Sequence, residues 1–232
     1  MSGLQEIGFA GTVDDECLIA FFASLSTAEM PYSTAAGDLE YKTRWLFSLR
    51  DLRVEGDGYG LATIRCVAAK LGTGFAPDLQ LLSFNGDADR RQLCDEGARA
   101  LGAAFATGNL RHLRHLDLQN SSMTSAGLVA IANGLDAASL LDMSSLATLN
   151  ILDSAVGDEG VERLAAVSHA HRITYFECRR TLVSVAGAKL LLSAGIRVDH
   201  DRTGWTGHLR AELQSFHGRA LPGERRAGDG RY

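Results

Sequence analysis

The sequence predicts an α/β solenoid, a horseshoe with a parallel sheet on its concave side and helices on its convex side. Two observations carry this. A pattern with apolar residues, mostly leucine, at positions one, four and six recurs six times: LQEIGF at 4–9, LRDLRV at 49–54, LQLLSF at 79–84, LRHLDL at 113–118, LATLNI at 146–151 and ITYFEC at 173–178. Between copies runs a second pattern of helical period, in register with the first. A short strand with one buried face, followed by a helix with one buried face, cannot shield its own apolar side, so the copies must stack.

Within each strand copy the fourth and sixth positions alternate with polar ones, the period of a strand that buries one face. The helices align on a column of small residues: Cys17, Thr63, Gly97, Gly127, Gly160 and Gly187. Four residues later stand Phe21, Val67, Leu101, Ile131, Leu164 and Leu191; four residues earlier stand Val13, Tyr59, Leu93, Met123, Val156 and Val183. Positions four apart share one helix face, so all three columns are expected inside. The glycines are expected to let each helix backbone approach its strand. Asp15-Glu16, Asp95-Glu96 and Asp158-Glu159, with Ser125 in a further copy, mark helix starts, where short oxygen-bearing side chains accept from free amides and carboxylates suit the positive end of the helix dipole. Thr12, Asp57, Asp87, Ser121, Ser154 and Thr181 lie between strand and helix and are expected to bond to the turn backbone. A seventh, degenerate strand is expected at 193–198, with Ile196 and Val198 inward.

These columns resemble the leucine-rich repeat family in its ribonuclease-inhibitor-like subclass, over roughly residues 4–199. There a Leu-x-x-Leu-x-Leu strand leads through an Asn turn to a helix carrying Gly and Leu. Here Ser, Thr or Asp replaces the turn Asn. The strand starts are 45, 30, 34, 33 and 27 residues apart, against about 20–29 in typical copies. The longer gaps predict insertions. Residues 26–45, with Pro31, Tyr32, Tyr41 and Trp45, form the longest; 87–92 form a smaller one. Residues 206–221 read as a helix with Leu209, Leu213 and Phe216 on one stripe, a C-terminal cap, and the Gly- and Arg-rich end reads as a flexible tail. The expected division is a repeat domain over 1–200 and a capping helix with tail over 201–232. A first strand starting at Leu4 leaves no room for an N-terminal cap, so a partner, a second copy or further chain is expected to cover that end.

Composition narrows function by exclusion. A net charge of −5 gives no electrostatic basis for nucleic-acid binding. No apolar run approaches the ~18 residues that span a membrane, and the N-terminus resembles neither a secretory signal nor a transit peptide. The four cysteines are dispersed over the repeat positions, as small buried residues of a chain in a reducing compartment, so a cytoplasmic protein is expected. GDGYG at 56–60 lacks the Lys-Ser/Thr of a phosphate loop and reads as a strand-to-helix turn. His112 and His115 lack the further ligands of a metal site. His115 and Asp117 share an open strand face rather than a dry pocket, so no catalytic residue is assigned.

No cofactor or metal is expected, and a protein partner is. Function is expected on the outward strand positions, from Asp51, Arg53 and Glu55 in the second copy, His115, Asp117 and Gln119 in the fourth, Tyr175, Glu177 and Arg179 in the sixth, and Arg197 beyond it. Tyr and Arg are enriched among binding hot spots. The resemblance implies a non-enzymatic interaction scaffold. It also implies two alternatives: a structural subunit of a ciliary or cytoskeletal assembly, and a regulator of a small GTPase similar to the Ran GTPase-activating proteins.

Overall fold

The structure, a computed structural model, describes residues 5–11, 13–24, 49–86, 93–139, 145–171 and 173–199. Leu4, Thr12, Asp87, both insertions and the expected division at residue 201 with its capping helix lie outside them. Among the described residues seven strands alternate with six helices: β1 (Glu6–Phe9), α1 (Asp15–Ser24), β2 (Asp51–Gly56), α2 (Leu61–Gly72), β3 (Leu81–Gly86), α3 (Asp95–Ala106), β4 (His115–Asp117), α4 (Ser125–Ser139), β5 (Thr148–Asn150), α5 (Asp158–His171), β6 (Tyr175–Glu177), α6 (Val185–Ser193) and β7 (Arg197–Asp199). The strands form one parallel sheet in sequence order. Strands neighbour at about 4.8 Å and helices pack at about 8–10 Å, so a stack of such units must curve with the strands on the inside.

The inward strand columns are those expected. Leu49, Leu79, Leu113, Leu146 and Ile173 are buried before their strands, and Leu52, Leu82, Leu116, Leu149 and Phe176 are buried within them. Ile7, Leu52, Leu82, Leu116, Leu149, Phe176 and Val198 pair across all seven strands. That register corrects the seventh copy by two residues. Ser193 is the last residue of α6, and Gly195 follows it at φ +85°. The Gly195 N–H bonds to Leu192 O at 3.0 Å and the Ile196 N–H to Leu191 O at 3.0 Å, the paired bonds that close a helix on a left-handed residue. The strand therefore begins only at Arg197, and Val198 takes the place expected for Ile196.

The glycine column also does something other than expected. A Cβ on Gly127 would meet Asp95 Oδ1 at 2.6 Å and Ala98 Cβ at 3.1 Å; one on Gly160 would meet Leu128 Cβ at 3.1 Å. The glycines make room for the helix of the preceding repeat and for the apolar side chain four residues earlier in their own, such as Leu93 beside Gly97 and Met123 beside Gly127, rather than for their own strand. The first-turn carboxylates use that proximity. Asp15 accepts from the Gly60 N–H at 2.6 Å and from the Thr63 hydroxyl. Asp95 accepts from the Thr124 N–H at 2.7 Å, the Thr124 hydroxyl at 2.7 Å and the Gly127 N–H at 3.0 Å. Asp158 accepts from the Ser184 N–H at 2.7 Å and the Ser184 hydroxyl. Ser125 accepts from the Gly157 N–H at 2.9 Å. Each side chain caps the next helix in the stack. Leu61 stands in this column in α2, and the Cys94 cap of α3 has no side-chain bond. The Gly60 amide is thus occupied by Asp15, which agrees with GDGYG being a strand-to-helix turn.

Two further expectations change. Cys17 is exposed, Cys66 and Cys94 are half-buried, and only Cys178 is buried. The small column is covered by the preceding helix, and α1 has none among the described residues. Ser121 and Ser154 are buried, and neither hydroxyl has a hydrogen-bond partner among the described residues. Only Thr181 behaves as expected, donating to Cys178 O at 2.7 Å and accepting from the Val183 N–H at 3.4 Å. The turns instead rely on the residue before. Gly11, Gly56, Asn120, Asp153 and Arg180 occupy the eighth position of their copies, all with positive φ, a region that Gly, Asn and Asp enter at least cost.

Candidate functional site

The register converts the outward positions into rows that cross the sheet. One row runs Glu6, Asp51, Leu81, His115, Thr148, Tyr175, Arg197. The next runs Gly8, Arg53, Ser83, Asp117, Asn150, Glu177, Asp199. Glu55 and Asn85 begin a third, on the side where the strands end. Ser83 faces outward yet is buried, a side chain too short to rise out of a row between Arg53 and Asp117.

The sequence-predicted residues gather into three groups. Towards β1, Arg53 lies 3.9 Å from Glu6 and 3.7 Å from Asp51. These are loose pairs between partly exposed groups, of the kind that contribute little stability. Towards β7, the Tyr175 hydroxyl donates to Glu177 at 2.9 Å and lies 3.3 Å from Asp199 Oδ2. Arg179 donates its Nε–H to the other Glu177 oxygen. Glu177 is only 8% exposed, so this carboxylate is buried with both oxygens bonded, the condition under which a buried charge is tolerated. Burial, then the bond and charge of Glu177, push the Tyr175 phenol well above its ordinary value. Burial likewise raises the thiol of the neighbouring Cys178, to about 12. The network is a strut whose groups satisfy one another.

Asp117 stands in the middle strand. Its carboxylate accepts from the Gln119 N–H at 3.2 Å. Burial raises its pKa above 3.8, with Glu55 and Glu177 raising it further and the Gln119 bond and Arg53 lowering it. Folding therefore makes the carboxyl a weaker acid than in the unfolded chain. The contribution of Asp117 to stability is fully present below 3.8 and is lost as pH rises through the higher folded value. Asp117→Asn keeps an acceptor for Gln119 and removes the charge. It is expected to raise stability at pH 7 and leave it unchanged near pH 3, as read by urea unfolding; a loss at pH 7 would contradict the assignment.

His115 and Arg197 are exposed in the first row, apart from both networks. Asp199 was missed by the sequence reading. Its signal was the two-residue register of the seventh strand, which places it beside Glu177. Glu6, outward in β1 and outside the expected contact set, is a partner of Arg53. No helix among the described residues is long and apolar enough to cross a membrane.

A family model described as Leucine Rich repeat matches residues 109–132, from the turn before β4 into α4. Among solved structures, a protein from Bacteroides fragilis is 13% identical, with 68% of this chain and 48% of that one covered and a TM-score of 0.45. This chain spans about half the length of that protein. No curated protein matches.

Proposed function

We propose, from the premise that this chain is a leucine-rich repeat solenoid, that it is a non-enzymatic scaffold binding a protein partner across its concave strand face. Leucine-rich repeat domains generally bind proteins. The observation that carries the reading is the unbroken register of seven strands, which sets charged, amide and aromatic side chains in continuous rows on an open surface. A rigid, extended surface of this kind suits a protein ligand, because complementarity accumulates over many strands without a conformational cost. Arg53, Asp117 and Tyr175 are spaced across the sheet, and with Asp51, Glu55, His115, Gln119, Glu177, Arg179 and Arg197 they form the proposed contact set. The Gly-bearing helix column supports the ribonuclease-inhibitor-like subclass, and four unpaired cysteines support a reducing, cytoplasmic setting.

Affinity purification followed by mass spectrometry tests the proposal. Arg53→Ala and Tyr175→Phe are each expected to lose a shared partner by about 10-fold or more, as hot-spot truncations do, with the thermal melt of Arg53→Ala unchanged. A partner set identical to that of the unaltered protein in both variants would overturn it.

A further inference from the structure

The turn before β4 reads LRHLRHL over 110–116. Leu110, Leu113 and Leu116 are buried, and this spacing drives Arg111, His112, Arg114 and His115 to the surface, where all four are exposed. The segment is held on both sides. The Arg114 and His115 N–H groups bond to Gln80 O at 2.8 and 2.9 Å, and the Arg114 carbonyl accepts from Ala147 and Thr148 at 2.9 Å each. Ser145 donates to the Arg111 and Leu113 carbonyls at 2.8 and 3.1 Å. One strand further, Gln80 and Leu81 bond to Arg50 O at 2.7 and 2.9 Å. Exposed Arg50 and Arg114 therefore stand at one level of the sheet with a single strand between them.

Arginine outnumbers acid at this edge among the described residues. Among the described residues, the arginines in ion pairs are Arg53, Arg65, Arg163, Arg179 and Arg180; Arg50, Arg111 and Arg114 are not among them. Among the described residues the acid on this edge is Asp78, one residue before buried Leu79. The chain as a whole is at −5, so the strip is a local reversal of sign.

We infer that this edge docks an acidic segment of a partner protein, with Arg111 and Arg114 as its anchors and Arg50 as a second contact. The inference rests on the concave face being the binding surface and adds the chemistry of what meets its rim. Arg50 and Arg114 are separated by two strand spacings, about 10 Å. Carboxylates three residues apart in an extended chain, at about 3.3 Å per residue, span the same distance. A guanidinium meets a carboxylate with two parallel hydrogen bonds, so arginines give such a strip geometric as well as electrostatic selectivity. A long polyanion fits less well, because Asp51 and Asp117 in the adjoining rows repel whatever extends across the sheet.

Fluorescence anisotropy with a short labelled oligoglutamate peptide at low salt tests this. The unaltered protein is expected to bind the peptide, and Arg114→Glu and Arg111→Glu to weaken binding about 10-fold or more. Arg99→Glu, the same charge change on exposed convex helix α3, is expected to have less than about a 2-fold effect. Absence of peptide binding, or equal losses from Arg99→Glu, would overturn the inference. So would a single-stranded oligonucleotide of matched charge that binds as tightly and is lost with the same variants. Arg53→Ala is expected to leave peptide binding intact. If Arg53→Ala loses the cellular partner and the peptide still fails to bind, the concave-face reading stands and only this inference falls.

Discussion

Replacing Gly134 by alanine is expected to destabilise the solenoid by about 2–3 kcal/mol, although alanine is the better helix former. A Cβ at Gly134 would overlap the Gly102 carbonyl oxygen and lie 2.7 Å from the Gly102 carbonyl carbon. In return, a Cβ at Gly102 would lie 2.9 Å from the Ala130 carbonyl carbon. Helices α3 and α4 thus touch backbone to backbone. Two effects compete. Removing glycine from a helix interior gains about 1 kcal/mol. Forcing a methyl group into backbone atoms that cannot rotate away costs about 3 kcal/mol or more, because one whole helix must move. The steric cost wins. For a chain of this length the midpoint should fall by about 2–4 °C per kcal/mol. Gly8→Ala is the control. It lies in β1 with nothing within 4 Å of an added Cβ, and should change stability by less than about 0.5 kcal/mol. A neutral Gly134→Ala would mean that the two helices are not in backbone contact.

Asp95→Ala is expected to cost about 2 kcal/mol, with Asp95→Asn intermediate. Its carboxylate accepts three hydrogen bonds from the start of α4. An ordinary N-cap contributes about 0.5–2 kcal/mol, and a charged acceptor with several donors belongs at the upper end. The cap comes from the neighbouring repeat. Its loss therefore weakens the α3–α4 interface as well as α4, and in a stack stabilised between neighbours an interface defect lowers the cooperativity of unfolding. Denaturant melts should show a lower midpoint together with a broader transition. A shift below about 0.5 kcal/mol would show that the inter-repeat bonds are replaced by water at no cost.

The inward face of the sheet was legible from sequence because burial of a strand obeys a period of two and leucine has no alternative use at those positions. Leu52, Leu82, Leu116 and Leu149 fall at one position of the repeat, which fixes their neighbours as outward. The capping carboxylates were legible as residue types, since Asp15, Asp95 and Asp158 stand at helix starts. Their recipients were not. The spacing along one helix cannot tell whether a first-turn Asp turns to its own amides or to those of the next repeat, a choice made by how closely the helices stack. Gly102 and Gly134 belong to no column, and only the helix crossing gives them a reason. The seventh strand was misaligned because Ile196 and Val198 satisfy the period of two in either register. Gly195 ends the helix and decides between them.

Of the candidate site, the outward position of Arg53, Asp117 and Glu177 was determined by sequence alone, since each lies between two residues that must be buried; Tyr175 and Arg179 continue the same period of two. Their relations were decided by tertiary structure. The strut of Tyr175, Arg179 and Asp199 around buried Glu177 forms across two strands that are 22 residues apart in the paired register of Tyr175 and Arg197. The loose pairing of Arg53 with Glu6 and Asp51 likewise depends on which strands adjoin. A periodic sequence specifies which face each residue occupies, because local geometry enforces it. It does not specify which charges meet, because that depends on register and helix stacking between segments distant in the chain.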